Sequence, residues 1–397
     1  MAFDSLILAA SRQGASDLHL EPGLPAAIRV RGALKTVGEP LAGKALVDLA
    51  REVIAPEAWT QFTERRSVDF SRTIGGVRCR VNVMHTSRGI GFAVRLLSSF
   101  QATIDRLNLH PDLKKLVAHT TGLILLSGPT GSGKSSTMAG LIQEINLAEP
   151  RHILTIESPI EYVLRSRKAF IRQREVGRDT PSFEQGLLDA LREDPDVLMV
   201  GEMREPETMR LTLNAAETGH LVLATVHSGT CAEALQRVVL AFPADIQDNI
   251  AAQLADSLVA VICQKLRYRS DLNLRVPECE ILRPTHSVKT FIRNRDFFKL
   301  PQALETGADH GMWTFERYQG WMAKRAQWHV PNLEDEAPDP DEPVTIDAPL
   351  SIPSPNKPAA VPGAPSPAPP VETKRPAGRI EIEPEEGGMD ELIKRLT

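Results

Sequence analysis

The amino-acid sequence predicts an α/β fold in which helices cover a parallel sheet. Between residues 111 and 330, apolar runs typical of strands alternate with segments of helical periodicity, and this alternation is the signature of a parallel sheet. One apolar run leads directly into a glycine-rich turn and then a helix-like segment. We interpret as strands of this sheet residues 123–127, 152–157, 197–200 and 221–227.

The glycine-rich turn after residue 127 has the spacing of a phosphate-binding loop, G-x-x-x-x-G-K-[ST]. A strand that enters a helix through such a turn presents backbone N–H groups, and the positive end of the helix dipole, to a phosphate. We expect Lys134 to reach the β- and γ-phosphates of a nucleoside triphosphate and Ser135 to ligate Mg²⁺. The residues predicted to bind the nucleotide are Gly128, Pro129, Thr130, Gly131, Ser132, Gly133, Lys134, Ser135 and Ser136.

Two carboxylates follow other predicted strands at their carboxyl ends, where ligands bind in open parallel sheets. Glu202 follows residues 197–200 and is, with Ser135, the candidate Mg²⁺ ligand. Glu157 ends residues 152–157 and is the candidate for activating the attacking water, with Glu161 in reserve. Hydrolysis of a triphosphate needs both functions.

A histidine stands at each end of the last predicted strand. His220 precedes it and His227 closes it. This arrangement suits a sensor of the γ-phosphate and a link to a partner, and we assign His220 to catalysis. The alternative is that both histidines are structural.

Length and composition favour a globular protein of two domains with extra segments. The chain has 397 residues, of which 42% are hydrophobic and 24% charged. No run of about 18 apolar residues and no signal-peptide pattern occurs, so we expect a cytoplasmic protein. The net charge of −5 argues against nucleic-acid binding. The four cysteines form no C-x-x-C pair, and we expect reduced, mostly buried thiols at Cys79, Cys231, Cys263 and Cys279.

The chain before residue 111 predicts a small α/β domain at residues 1–97 and a linker at residues 98–110. A short amphipathic helix and several alternating runs support the domain. Beyond residue 232 we expect mainly helices, which form the C-terminal part of the domain at 111–330. These helices are predicted at residues 245–266, 287–293 and 314–326.

The chain after residue 330 changes character. Residues 331–387 are first acidic and then rich in proline and alanine, so they cannot form a core and predict a disordered linker. Residues 388–397 predict a short amphipathic helix with Met389, Leu392, Ile393 and Leu396 on one face. Such a helix orders mainly on a partner protein, which the sequence does not identify. The alternative is a solvated tail.

Several segments together resemble one family, the type IV pilus retraction (PilT-like) branch of the secretion ATPases. They match its Walker A, Asp box, Walker B and His box motifs, and the likeness extends from residue 14 to residue 315. The segments are residues 128–135, 156–162, 172–177, 191–196, 200–204 and 216–220.

This resemblance implies a homo-hexameric ring of subunits with a PAS-like N-terminal domain, a RecA-like P-loop ATPase core and ATP between them. It implies that Arg80 and Arg95 approach the nucleotide with catalytic roles, and that Arg204 makes an intersubunit charge contact. Guanidinium groups pair bidentately with phosphate oxygens, which suits these roles. The implied partners are an inner-membrane pilus platform protein and a paralogous ATPase, with peripheral association at the inner membrane.

Two departures from the family pattern bear on activity. Ser158 stands where the family has aspartate, so we expect slower turnover. The retraction motif differs at residues 287–293, where Lys289 and Thr290 replace arginine and asparagine. Two alternatives stay open: an accessory nucleotide-binding ring subunit with weak hydrolysis, and a nucleic-acid translocase.

Overall fold

The computed structural model of the chain describes residues 2–30, 33–97 and 102–330. Two sheets, each with its own hydrophobic core, organise this part of the chain. The predicted linker at 331–387 and the predicted helix at 388–397 lie outside the described residues.

The first sheet is antiparallel and has the strand order β3-β2-β1-β6-β5-β4. Apolar side chains such as Val81 and Val83 alternate with polar ones, so that one face is buried under three helices and the other is left for polar groups. The strands are β1 Ala15–Leu20, β2 Ala26–Val30, β3 Ala33–Val37, β4 Ser67–Ile74, β5 Val77–Thr86 and β6 Gly89–Leu97. The helices are α1 Ala2–Arg12, α2 Gly43–Val53 and α3 Pro56–Arg65.

The second sheet has the order β13-β12-β7-β11-β10-β8-β9, and its strands are parallel except for the antiparallel pair β12 and β13. The predicted α/β class with a parallel-sheet core is therefore confirmed. The strands are β7 Gly122–Ser127, β8 His152–Glu157, β9 Phe170–Glu175, β10 Val197–Val200, β11 Leu221–Thr225, β12 Leu258–Arg269 and β13 Leu274–Leu282. The helices are α4 Lys134–Ala148, α5 Phe183–Ala190, α6 Pro206–Glu217, α7 Cys231–Leu240, α8 Gln247–Ser257, α9 His286–Arg293, α10 Leu300–Thr306 and α11 Phe315–Lys324.

Helices cover both faces of this sheet. Along β7, Leu123 and Leu125 belong to one hydrophobic cluster, whereas Ile124 and Leu126 belong to another on the opposite face. A strand buried on both faces reads as a continuous apolar run. This explains why the sequence identified β7 without alternation.

Serine and threonine caps fix where several of the helices begin. The hydroxyls of Ser182, Thr230, Thr285 and Thr314 each accept a hydrogen bond from a backbone N–H in the first turn of α5, α7, α9 and α11. Such caps satisfy donors that have no partner within the helix.

One helix prediction is wrong in its extent. The helix expected at residues 245–266 ends at Ser257, and the chain continues as β12, which pairs in parallel with β7. The run from Leu258 to Cys263 is apolar and buried, and periodicity alone does not separate a buried helix from a buried strand over so few residues. β12 replaces the end of this predicted helix, and β13 extends the sheet between it and the helix predicted at residues 287–293.

The segment before β7 packs on the second sheet. Ile104, Leu109 and Leu113 belong to the same hydrophobic cluster as Ile124 and Leu126. Across the described residues, no helix is both long and apolar enough to span a bilayer.

Candidate nucleotide site

The glycine-rich loop lies at the carboxyl end of β7 and leads into α4, which begins at Lys134. Gly131 and Gly133 adopt left-handed backbone conformations, with φ of 76° and 84°. Gly128 has φ of 147°, and a Cβ there would lie 2.3 Å from the carbonyl oxygen of Gln264. Only glycine fits such positions without strain or collision. The loop therefore brings the unpaired N–H groups of the first turn of α4 to an anion-binding position.

Lys134 is buried, and uncharged acceptors surround its ammonium group. Its Nζ donates to the carbonyl oxygens of Gly128 at 2.8 Å and Pro129 at 3.1 Å, and it lies 3.3 Å from Nδ1 of His227. Burial lowers the pKa of Lys134, while the charge of Glu202 acts in the opposite direction. Phosphate oxygens are stronger acceptors for an ammonium group than these carbonyls, so a nucleotide can replace them.

Glu202 lies two residues beyond β10 and faces the same histidine. Its Oε1 accepts a hydrogen bond from Nε2 of His227 at 2.8 Å and one from Nε of Arg204 at 2.7 Å. Burial on its own would raise the pKa of Glu202, but the hydrogen bonds and charges of Arg204 and His227 lower it. Glu202 is therefore ionised at neutral pH, as a magnesium ligand must be.

Glu157 is the last residue of β8 and is only 6% exposed. Its Oε1 accepts hydrogen bonds from Oγ1 of Thr155 at 2.7 Å and Nε2 of Gln173 at 2.9 Å. Burial raises the pKa of Glu157 to about 7 against these hydrogen bonds, and the charges of Glu161 and Glu175 add to the rise. A carboxyl group that titrates near neutral pH is suited to accept a proton from water.

A cavity of about 690 Å³ opens beside the glycine-rich loop. Its size lies within the range of small-molecule sites. Three cationic side chains, those of Arg204, Arg237 and Lys265, line it beside Glu202, and Nη1 of Arg237 donates to the carbonyl oxygen of His227 at 2.9 Å. The other lining residues are Pro129, Thr130, His227, Ser228 and Gly229. This charge pattern suits a polyanion such as a triphosphate.

The side chains of the loop fit a nucleotide with its magnesium ion. Oγ of Ser132 is buried and has no hydrogen-bond partner within residues 2–30, 33–97 and 102–330, and a phosphate oxygen would satisfy it. Ser135, in the first turn of α4, and Glu202 would hold magnesium together with phosphate oxygens and water. In the same described ranges, no group of three or more His, Cys, Asp or Glu side chains could hold a metal ion.

His220 lies away from the phosphate-binding loop of its own subunit, and its catalytic role stays a prediction. This residue immediately precedes β11, whereas the phosphate-binding loop follows the carboxyl end of the parallel neighbour β7. Nδ1 of His220 contacts the carbonyl oxygen of Ala215 at 3.0 Å, and its own carbonyl oxygen accepts from the N–H of Gly122 at the start of β7. His220 therefore lies at the opposite edge of the sheet from this subunit's phosphate loop, whereas His227 contacts Lys134 and lines the cavity.

Arg80 and Arg95 are cross-strand neighbours on β5 and β6. Nε of Arg80 lies 3.8 Å from Oδ1 of Asp69, and Nε of Arg95 lies 3.2 Å from Oδ1 of Asp17. Neither arginine lines the cavity, and their approach to a nucleotide stays a prediction.

Two supporting residues escaped the sequence analysis. Gln264 on β12 accepts from Oγ1 of Thr137 and donates to the carbonyl oxygen of Ser132, each at 2.7 Å, so it fixes the loop against the sheet. Tyr162 places its hydroxyl 2.6 Å from Oγ of Ser136. Recognising β12 as a strand would have pointed to Gln264. The rule that ligands bind at carboxyl ends would have favoured His227 over His220.

The four cysteines are buried and unbridged. Burial raises the pKa of the Cys79 thiol to about 11 and that of Cys263 to about 12. Thiols with such pKa values stay protonated at neutral pH and are unreactive.

Comparison with known proteins gives concordant matches. The type II/IV secretion system protein family matches residues 2–303. The type IV pilus retraction ATPase PilT of Pseudomonas aeruginosa is 40% identical over 327 residues, which cover 82% of this chain and 95% of that protein. A twitching motility protein of Neisseria gonorrhoeae is 40% identical over 292 residues, covering 73% of this chain and 78% of that one.

A solved structure agrees with these sequence matches. The crystal structure of the pilus retraction motor PilT with bound ADP superposes with a TM-score of 0.74 at 38% identity, covering 85% of this chain and 97% of that chain. The similarity therefore extends over both sheets described above.

Proposed function

This chain belongs to the type II/IV secretion system protein family, and on that premise we propose that it is a Mg²⁺-dependent ATPase motor that powers type IV pilus retraction. The observation that carries the proposal is that His227 contacts both Lys134 of the glycine-rich loop and Glu202, and that His227 and Glu202 line the cavity beside this loop. Glu157, whose pKa is raised to about 7, lies at the end of β8. In the sheet, β11 and β10 separate this strand from β7, which leads into the loop.

In the proposed reaction, Lys134 leaves the carbonyls of Gly128 and Pro129 and binds the β- and γ-phosphates. The backbone N–H groups of the loop and the first turn of α4 hold the same phosphates. Ser135 and Glu202 would hold magnesium, which would supply electrostatic stabilisation of the charge that develops on the phosphate oxygens.

Glu157 acts on the attacking water. Its carboxylate accepts one proton as the water oxygen forms a bond to the γ-phosphorus. The bond from that phosphorus to the β,γ-bridging oxygen breaks, and the bridging oxygen leaves with ADP. His227 orients Glu202 through Nε2 and lies beside Lys134 through Nδ1, so it is placed to respond when the γ-phosphate is lost.

We infer that six copies form a ring, in which loss of ATP changes the relation between the two domains of each subunit. Domain movement around a ring converts hydrolysis into displacement at the pore. Arg80, Arg95 and the largely exposed Arg204 are candidates for contacts to nucleotide or to a neighbouring subunit. The motor would act on a platform protein at the cytoplasmic face of the inner membrane, with a paralogous ATPase as a further candidate partner.

Ser158 favours a second candidate, an accessory ring subunit with weak hydrolysis. It follows Glu157 directly and brings a hydroxyl where the family has a carboxylate. The nearby negative charges acting on Glu157 come from Glu161 and Glu175.

The experiment that tests the motor proposal combines biochemistry with cell phenotype. Purified full-length protein is assayed for Mg²⁺-dependent ATP hydrolysis, and a strain without the gene is scored for surface pili and twitching. We expect turnover in vitro, and excess pili without movement in the deletion strain. Restoration by the full chain but not by Lys134→Ala supports the motor, whereas normal twitching in the deletion strain contradicts it.

A further inference from the structure

Glu175 connects the two sheets through a buried ion pair. It is the last residue of β9, and its Oε2 accepts a hydrogen bond at 2.9 Å from Nη2 of Arg78 on β5. Both side chains are 8% exposed, and Nη1 of Arg78 also donates to Oγ1 of Thr73 at 3.2 Å. Such a pair depends on both partners, because either one alone would be an uncompensated buried charge. Whether the charge of Glu175 is compensated therefore depends on the position of the N-terminal domain, which carries Arg78.

The same carboxylate holds the chain that follows Glu157. Oε2 of Glu175 accepts a second hydrogen bond from the backbone N–H of Ile160 at 3.2 Å. Glu157 and Glu175 are register partners in the parallel pair of β8 and β9, and the N–H of Val176 donates to the carbonyl oxygen of Glu157 at 2.8 Å. Residues 157–160 are thus fixed at both ends by Glu175 and its neighbour.

The chain continues from there to the helix of the phosphate-binding loop. The hydroxyl of Tyr162 lies 2.6 Å from Oγ of Ser136 in the first turn of α4. Nε2 of Gln173 donates both to Oε1 of Glu157 and to the carbonyl oxygen of Tyr162, each at 2.9 Å. We call residues 157–162 the catalytic segment. It is attached to the N-terminal domain through Glu175 and to the nucleotide-binding loop through Tyr162.

We propose that Glu175 is a positioning residue for ATP hydrolysis, which holds the catalytic segment and Glu157 in place only while Arg78 of the docked N-terminal domain neutralises it. The inference rests on the proposed function, because it requires Glu157 to act on water. When Arg78 withdraws, the N–H of Ile160 does not compensate the buried charge of the carboxylate. The carboxylate therefore turns towards solvent, and the segment is released. Domain movement thereby reaches the water-activating group without changing the contacts of Lys134.

The test compares full-length variants in steady-state ATPase and equilibrium ATP-binding assays. In Glu175→Gln and in Arg78→Gln we expect kcat to fall about 10-fold or more, because small displacements of a reacting group cost rates of this order. The KM for ATP and ATP binding should stay within about two-fold of wild type, since the phosphate-binding loop is untouched. The double variant should be no slower than the slower single variant, because all three break one contact.

Two further variants separate positioning from folding. Arg78→Lys retains a cation and should recover part of the turnover lost in Arg78→Gln. Arg172→Gln, also on β9, removes an exposed ion pair with Glu193 and should leave kcat unchanged. If Glu175→Gln does not fold, the comparison of Arg78→Gln with Arg78→Lys tests the same contact from the other side.

The outcomes are distinguishable. Wild-type kcat in Glu175→Gln, an additive loss in the double variant, or an equal loss of ATP binding overturns the positioning role while leaving the ATPase proposal intact. A wild-type protein that does not hydrolyse ATP overturns both.

Discussion

Glu202 accepts a hydrogen bond from Nε2 of His227 at 2.8 Å, and this contact orients the imidazole ring. Because a carboxylate can only accept, Nε2 must carry the hydrogen of this contact, and Nδ1 of the same ring lies 3.3 Å from Nζ of Lys134. The three side chains thus form a continuous path from the phosphate-binding lysine to the candidate magnesium ligand. A nucleotide that draws Lys134 away changes every member of this path.

Lys134→Ala removes the buried ammonium group of the loop. We expect ATP hydrolysis to fall on the order of 100-fold or more, since preorganised charge at the phosphates is lost. Steady-state phosphate release from the full-length protein measures this. Lys168→Ala serves as the control, because it removes an exposed lysine whose Nζ donates to the carbonyl oxygen of Ala148 at 3.3 Å. Wild-type turnover in Lys134→Ala would remove this lysine from the site.

His227→Gln and His220→Gln discriminate the two histidines. We expect His227→Gln to weaken ATP binding and turnover about 10-fold, because it disturbs both Glu202 and Lys134. ATP binding in His220→Gln should stay within about two-fold of wild type, because His220 lies at the other edge of the sheet. Isothermal titration with ATP and magnesium makes the comparison. A greater loss of binding in His220→Gln than in His227→Gln would contradict this expectation.

The raised pKa of Glu157 predicts that kcat for ATP hydrolysis rises with pH. Because burial raises its pKa to about 7, the carboxylate that accepts the proton forms as pH increases through that value. The acid limb of a kcat profile should therefore have its midpoint near neutrality, and Glu157→Gln should bind ATP with little turnover. A profile flat from pH 6 to 8 would exclude this assignment.

The same raised pKa gives a stability prediction of opposite sign. A carboxyl group whose pKa is higher in the folded state stabilises the fold while protonated, and that contribution is lost as pH rises through about 7. At pH 8 the free energy of unfolding of Glu157→Gln should therefore exceed that of wild type by on the order of 3 kcal/mol. The variant should unfold at a correspondingly higher temperature. The difference should shrink below pH 5. Thermal unfolding at the two pH values checks this, with Glu149→Gln as the control at a partly exposed glutamate.

The variant Ser158→Asp distinguishes the proposal of a motor from the proposal of an accessory subunit with weak hydrolysis. If Ser158 limits hydrolysis by its missing charge, the aspartate variant should turn over ATP several-fold faster at unchanged ATP binding. Steady-state assays on the two proteins provide the answer. Substantial wild-type turnover that aspartate does not increase would support the motor and reject the accessory role.

Gly128→Ala tests the close approach of β12 to the loop. A Cβ there would lie 2.3 Å from the carbonyl oxygen of Gln264, so we expect a destabilisation of several kcal/mol and loss of ATP binding. Gly219→Ala is the matched control, because Gly219 also has positive φ but has nothing within 4 Å of a Cβ. Similar melting temperatures for the two variants would show that the contact with Gln264 is unimportant.

The sequence by itself determined the phosphate-binding loop and the carboxylates at strand ends. The information is local: glycines that permit φ of 76° and 84°, an apolar strand before them and a helix after them. Because parallel strands end at one edge of a sheet, the sequence also indicated that Glu157 and Glu202 lie at the same edge as the loop. The buried thiols likewise followed from composition and spacing.

Only the tertiary structure decided which strands meet and which side chains touch. The apolar run of β12 is compatible with helix or strand, and its pairing with β7 resolved the ambiguity. His227 was separated from His220 by the direction of β11, since both flank the same strand in the sequence. Arg78 and Glu175 are 97 residues apart, and no periodicity encodes a contact of that range. Such contacts depend on how the two sheets dock, which local propensity does not specify.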